Sequence, residues 1–282
     1  MSPSIPLRLP IQPWFKDHCF NGQAILPAVE TMLLLAETAE KTWPQRPVTT
    51  ICTARFSRFL PLPGGIAGID AVVELEEISP TTTCFRLLTR KKTGAMSRMI
   101  EHCALIFSSL DEQQADLQTT LPPSMPPDQT ISAARIYQEL VPFGPSYQSL
   151  QGQLALFESG ATGTVRAPEL PLPYSGLGSP FPLDGTMHAA CVHGQRLVDF
   201  VPFPVGFATR IIHKATIPGE AYTCIALLQS SAPDRLVYDL QISDSQKNLR
   251  EVVTGLEMRD VTGGRIRPPQ WIRPEASSDI GH

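Results

Sequence analysis

No stretch of the 282-residue chain offers the ~18 consecutive apolar residues that crossing a bilayer requires. The N-terminal MSPSIPLRLPIQPW likewise holds no apolar run of signal-peptide length. A membrane partner is therefore not expected, and the reading is a cytoplasmic protein. Basic clusters are scarce as well: Arg90, Lys91 and Lys92 form an isolated patch in a chain of net charge −4, which argues against a nucleic-acid partner. The six cysteines are scattered singly, without any CxxC pair, so reduced core thiols rather than disulfides are expected. His193 and His213 have no partner at metal-ligand spacing, and no metal site is expected.

Proline is abundant, at 28 residues, and it marks the organisation. The weakly hydrophobic stretch 113–130 carries two Pro-Pro pairs and reads as a linker between an N-terminal lobe, 1–112, and a C-terminal lobe, 131–282. The first lobe shows strand-like runs at Thr50–Phe59, Ile69–Ile78, Thr82–Arg90 and Arg98–Phe107. The second shows a helix at Ile131–Leu140, capped by Thr130 or Ser132, and strands at Gln151–Phe157, Gly160–Ala167, Leu197–Ile212, Ala221–Gln229, Leu236–Ile242 and Leu249–Arg259. Each half also has one strongly apolar helix, after Pro27 and over Leu183–His193. This is α+β composition, with an antiparallel sheet wrapped around a central helix in each half.

The most informative stretch is Asp17–Lys41. Pro27 suits the first turn of a helix, and Val29, Met32, Leu33, Ala36 and Ala39 follow at helical spacing. Leu34 and Leu35 widen the apolar surface, so this helix should be buried. Upstream, His18 and Gly22 place an imidazole and a flexible backbone position beside the helix start, a grouping suited to proton abstraction near an anion-stabilising amide.

The segment from His18 through Gly22 to Pro27 resembles the HxxxGxxxxP motif of polyketide synthase dehydratase domains. Phe143-Gly144-Pro145 resembles the later part of their GYxYGPxF motif, and Asp184 to His188 matches their Dxxx(Q/H) motif. Val201–Gly206 is similar to their LPFxW segment without the Trp. The resemblance implies a double hot-dog fold in which His18 and Asp184 meet across a substrate tunnel. His18 would be the base that removes an α-proton and Asp184 the acid that protonates the leaving β-hydroxyl, giving a 2,3-enoyl thioester from a 3-hydroxyacyl thioester. The apolar neighbours Phe181, Pro182, Leu183 and Met187 would disfavour the charged form of that acid. His188, one helical turn on, would orient Asp184. Gly22, Pro27, Phe143, Gly144 and Pro145 would line the substrate, although Phe143 stands where the family has a Tyr hydroxyl, and Tyr147 reads as a packing residue.

The resemblance also implies partners: an acyl carrier protein presenting the substrate on phosphopantetheine, other polyketide or fatty acid synthase components, and no separate cofactor. Arg55, Arg58 and Arg210 are the basic residues to consider for carrier docking. A stand-alone protein and a domain of a larger synthase both fit, and a homodimer is one open state. The same dyad would serve a product-template-like cyclase or a double-bond isomerase, and the fold alone would serve an acyl-thioester-binding module.

Overall fold

The computed structural model describes residues 3–94, 96–109, 126–171 and 176–273. The first half runs β1 (Ser4–Pro10), the small hairpin β2 (Cys19–Phe20) and β3 (Gln23–Ala24), α1 (Ala28–Thr42), β4 (Thr50–Phe56), β5 (Gly68–Glu77), β6 (Thr82–Thr93) and β7 (Met96–Ser108). The second runs β8 (Gln129–Ser132), a single turn α2 (Ala133–Arg135) continuing as a π turn (Ile136–Leu140), β9 (Leu150–Phe157), β10 (Gly160–Arg166) and α3 (Phe181–Gly194). It ends with β11 (Phe203–Phe207), β12 (Thr209–Ile212), β13 (Ala221–Ala232), β14 (Arg235–Ser243) and β15 (Leu249–Arg259).

Alternation along the strands decides which face is covered. In β5, Ala71, Val73 and Leu75 are buried, and in β14, Leu236, Tyr238, Leu240 and Ile242 are, so each half offers one apolar face to a helix. α1 packs on β6 and β7, and α3 on β9, β10, β13 and β14. Every residue of α3 is buried, which its lack of a polar face requires. Phe181, Leu183, Met187 and Val192 each contribute roughly 1.5–3 kcal/mol by leaving water. Two of its polar side chains are satisfied inside: Thr186 Oγ1 donates to the Pro182 carbonyl at 2.7 Å, and His193 bridges the Tyr238 hydroxyl and the Phe157 carbonyl, both at 2.9 Å.

The two antiparallel half-sheets join edge to edge into one 13-stranded sheet, in the order β1-β5-β6-β7-β4-β11-β15-β14-β13-β10-β9-β8, with β12 pairing both β4 and β15. The seam is tight. A Cβ on Gly206 would sit 2.4 Å from the Ala54 carbonyl oxygen, so only glycine lets β11 approach β4. Beside it, Arg210 of β12 is almost fully buried and holds Glu251 of β15 bidentately, Nε to Oε1 at 2.8 Å and Nη2 to Oε2 at 3.2 Å.

The structure departs from the sequence reading at several points. β1 is unexpected because Pro6 and Pro10 lie in it, but it is an edge strand paired only with β5, where a missing N–H is tolerated. The last two residues of the expected linker, Gln129 and Thr130, already belong to β8, and the helix expected from Ile131 starts at Ala133, with Ser132 Oγ accepting from Arg135 N at 3.3 Å. The rest of the linker falls mainly outside the described residues. The expected strand Leu197–Ile212 begins only at Phe203, because the chain is still turning after α3 and Pro202 cannot donate to a ladder. Pro27 caps α1 in extended geometry, φ −64° and ψ 145°, rather than lying in its first turn. Arg210, committed to Glu251, is not available for docking at the surface.

Candidate active site

His18 follows a 3₁₀ turn, Pro13–Asp17, and enters the β2–β3 hairpin. That hairpin turns on Asn21 and Gly22, both at positive φ (49° and 75°), the Asn-Gly pair favoured in two-residue turns. Folding back brings Ile25 beside His18: Ile25 N donates to the His18 carbonyl at 3.0 Å, and the His18 ring meets the Ile25 carbonyl through Nδ1 at 3.2 Å. A carbonyl only accepts, so Nδ1 carries the proton and Nε2 keeps its lone pair. His18 opens onto the cavity yet lies deep below the outer surface. Burial lowers its pKa from 6.5 to about 4, with His188 acting in the same direction and Asp184 and the Ile25 carbonyl opposing. The ring is a neutral base at physiological pH.

Asp184 and His188 stand one turn apart on α3, both about 5–6% exposed. Tyr137 reaches His188 from across the fold. Its hydroxyl accepts from Leu150 N at 2.8 Å and lies 3.2 Å from His188 Nδ1. His188 Nε2 is 3.1 Å from Asp184 Oδ2, though out of line for a hydrogen bond. His188 therefore steadies the carboxyl electrostatically while leaving Asp184 Oδ2 without a donor of its own.

Phe143 lies between the two imidazoles, stacked on His18 at 4.3 Å between ring centres and tilted against His188 at 5.2 Å. Its loop is tied to the residue preceding His18. Gly144 N donates to the Asp17 carbonyl at 2.7 Å, and Ser146 donates to Asp17 Oδ2 through N at 3.0 Å and Oγ at 2.6 Å. A Cβ on Gly144 would lie 2.7 Å from Asp17 Cβ, so glycine is needed there.

Behind His18, Glu30 of α1 is buried and accepts hydrogen bonds from Trp14 Nε1 at 3.1 Å and the Tyr147 hydroxyl at 3.3 Å. Tyr147 in turn presents an edge to His18 at 5.2 Å. Burial pushes the Glu30 carboxyl up to about 7, against the pull of those two donors.

His18, Asp184, His188 and Phe143 all face one cavity of about 480 Å³, a size typical of small-molecule sites. Met187 and Cys191 of α3, Gln195 at its C-terminal cap and the segment Val201–Val205 complete much of its wall. Of the other residues expected to line substrate, Gly22 is an exposed turn residue, Pro27 is a helix cap, and Gly144 and Pro145 shape the Phe143 loop; none borders the cavity. Arg58 is exposed at the cavity rim, joined there by exposed Arg267, whereas Arg55 is paired with Glu101 at 2.8 Å. Among the described residues no grouping of His, Cys, Asp and Glu suited to a metal ion occurs.

Sequence reasoning missed Trp14, Asp17, Glu30, Tyr137 and Gln195, and it gave Tyr147 only a packing role. Their partners lie up to 129 residues away, as between Asp17 and Ser146, so no local spacing signals them. Only the position of Asp17 beside His18 offered a hint.

No family model and no curated relative matches the chain. Solved structures do, at the level of fold: the chain shares the double hot-dog architecture of polyketide synthase dehydratase domains. A dehydratase domain of a trans-AT polyketide synthase from Brevibacillus brevis superposes with a TM-score of 0.70 at 15% identity, covering 92% of this chain and 93% of that one. The dehydratase domain of the polyketide PpsC from Mycobacterium tuberculosis gives 0.70 at 19%, covering 90% and 91%. A bifunctional dehydratase-cyclase domain in ambruticin biosynthesis gives 0.66 at 16%, covering 91% and 90%.

Proposed function

We propose that the chain is a hydro-lyase that removes water from a 3-hydroxyacyl thioester carried on the phosphopantetheine arm of an acyl carrier protein, within polyketide or fatty acyl synthesis. The observation that carries this reading is a neutral His18, with its Nε2 lone pair free, sharing an apolar cavity with the buried, donor-free oxygen of Asp184.

In this reading His18 Nε2 takes a proton from C2, and the electron pair moves toward the thioester carbonyl. The start of α1 borders the cavity at Ala28 and Thr31, and its positive end favours the developing enolate oxygen. Asp184, as the acid of the pair, gives a proton to the β-hydroxyl, the C3–O bond breaks, and water leaves as the C2–C3 double bond forms. His188 and Tyr137 act through Asp184, holding its carboxyl in place. Arg58 and Arg267 are the exposed cations at the rim that suit an acidic carrier protein.

The test is incubation with a 3-hydroxyacyl and, separately, a 2-enoyl carrier-bound thioester, followed by mass spectrometry. Interconversion is expected for the wild type and its loss for His18→Ala and Asp184→Asn. Absence of interconversion at every chain length would overturn the reading. One observation favours a second activity: Phe143 offers no hydroxyl to hold a β-hydroxyl group, and a dehydratase-cyclase shares this fold, so cyclisation by the same dyad is the reading to take up next.

A further inference from the structure

β6 and β7 outrun their neighbours in the sheet. Pairing of β6 with β5 stops at Thr89, and β4 pairs with β7 no further than Cys103, so from Arg90 to Lys92 and from Ser97 to Met99 the two strands pair only with each other. At ~3.4 Å per residue this arm projects roughly 10 Å beyond the sheet. Its composition is unlike that of the chain as a whole, whose net charge is −4: Arg90, Lys91, Lys92 and Arg98 are all exposed, and Met96 and Met99 beside them are 76% and 37% exposed.

The charges are placed against the arm's own stability. Lys91 and Arg98 are direct cross-strand partners, an arrangement in which like charges repel. Inside the sheet the same strands balance their cations: Arg86 of β6 is held by Glu76 and lies 3.8 Å from Glu101 of β7, which also takes Arg55 at 2.8 Å. That balancing stops at the arm. Among the described residues, no ion pair includes any of its four cations. A partner bearing carboxylates would offset the repulsion.

The arm also springs from the rim of the cavity. Thr89 Oγ1 meets His102 Nε2 at 2.8 Å, His102 Nδ1 meets the Arg58 carbonyl at 3.2 Å, and both His102 and Arg58 line the cavity. Side chains alternate along a strand, so Lys91 shares the face of Thr89, and Arg98, opposite Lys91, shares it too. The opposed cations thus continue, outward, the face on which Thr89 holds the cavity wall.

We infer that this arm is a docking element for an acidic protein, the carrier that presents the acyl thioester, with Lys91 and Arg98 meeting its carboxylates and Met96 and Met99 giving adaptable apolar contact beside them. A projecting hairpin suits a folded partner rather than a free small anion, since neither Lys91 nor Arg98 stands in the cavity wall. The inference rests on the proposed function for the identity of the acidic protein.

The test is calorimetric titration of polyketide and fatty acid synthase carrier proteins, each bearing a 3-hydroxyacyl group, into the wild type, Lys91→Gln/Arg98→Gln and Lys214→Gln/Arg235→Gln. The last removes the same charge from exposed positions away from the cavity. The expected result is roughly tenfold weaker binding to Lys91→Gln/Arg98→Gln at low salt, a difference that closes in about 1 M salt, with wild-type affinity retained by Lys214→Gln/Arg235→Gln. The arm substitutions relieve a repulsion at exposed positions, so the melting temperature should not fall. Equal affinity of all three proteins, equal losses in both variants, or failure of every carrier to bind the wild type while phosphatidylglycerol vesicles do or do not bind, overturns the inference. Binding needs no loss of water: arm-dependent binding without dehydration refutes the proposed function and keeps this inference, whereas dehydration with arm-independent affinity does the reverse.

Discussion

Lowering the pH acts on His18 in a way that separates a buried base from an ordinary histidine. With its pKa near 4, about 90% of the His18 rings remain neutral at pH 5, whereas an imidazole at the usual 6.5 would be about 3% neutral there. If His18 is the base, kcat/KM at pH 5 should stay within twofold of its value at pH 7.5 and fall tenfold per pH unit only below about 4. The ordinary case would lose about thirtyfold by pH 5. The assay is the initial rate of water loss across pH 4 to 8 on a carrier-bound thioester, with circular dichroism at each pH to show that the protein is folded. An acid limb centred at 6 to 7 would refute the argument that burial outweighs the attraction of Asp184. Linkage gives a second readout. The folded-state pKa lies below the unfolded one, so the unfolded chain binds more protons between pH 6.5 and 4, and stability declines as pH falls through that window, by on the order of 3 kcal/mol. His18→Phe should flatten that decline in a series of denaturant melts.

Glu30 titrates in the opposite sense: its folded pKa is raised to about 7, so its contribution to stability is full below pH 4.5 and is lost as pH rises through 7. Glu30→Gln keeps an acceptor for Trp14 and Tyr147, and its melting temperature should exceed that of the wild type at pH 8 but not at pH 5. Arg210→Met leaves Glu251 charged and unpaired at the seam, which should cost roughly 3–5 kcal/mol in urea unfolding, and adding Glu251→Leu should restore most of it. Phe143→Tyr keeps the ring between His18 and His188 and adds a hydroxyl; dehydration should speed up by roughly threefold to tenfold if the β-hydroxyl is held there, and an unchanged rate would place that hydroxyl elsewhere.

The two central helices were legible because their apolar content and spacing follow from burial alone, and most long strands because alternation and turn residues mark them. β1 was not, since three prolines within Pro3–Pro10 hide a strand that only its edge position permits. The single sheet was invisible for another reason: whether two curled sheets stand apart or join depends on one glycine, Gly206, and on an ion pair 41 residues apart in sequence. At the site, the motif residues His18, Phe143, Asp184 and His188 meet at one cavity. Tyr137, which meets His188 from 51 residues away, carries no spacing signal because it acts across the fold.

The ties from Gly144 and Ser146 to Asp17 mean that the residue next to the base in one half of the chain is fastened to a loop of the other half. Any loosening between the halves must first pull on that fastening and draw Phe143 away from the His18 ring. The reactive centre thus doubles as a gauge of how well the molecule is closed, and warming should silence it at a temperature below that at which the sheet itself comes apart.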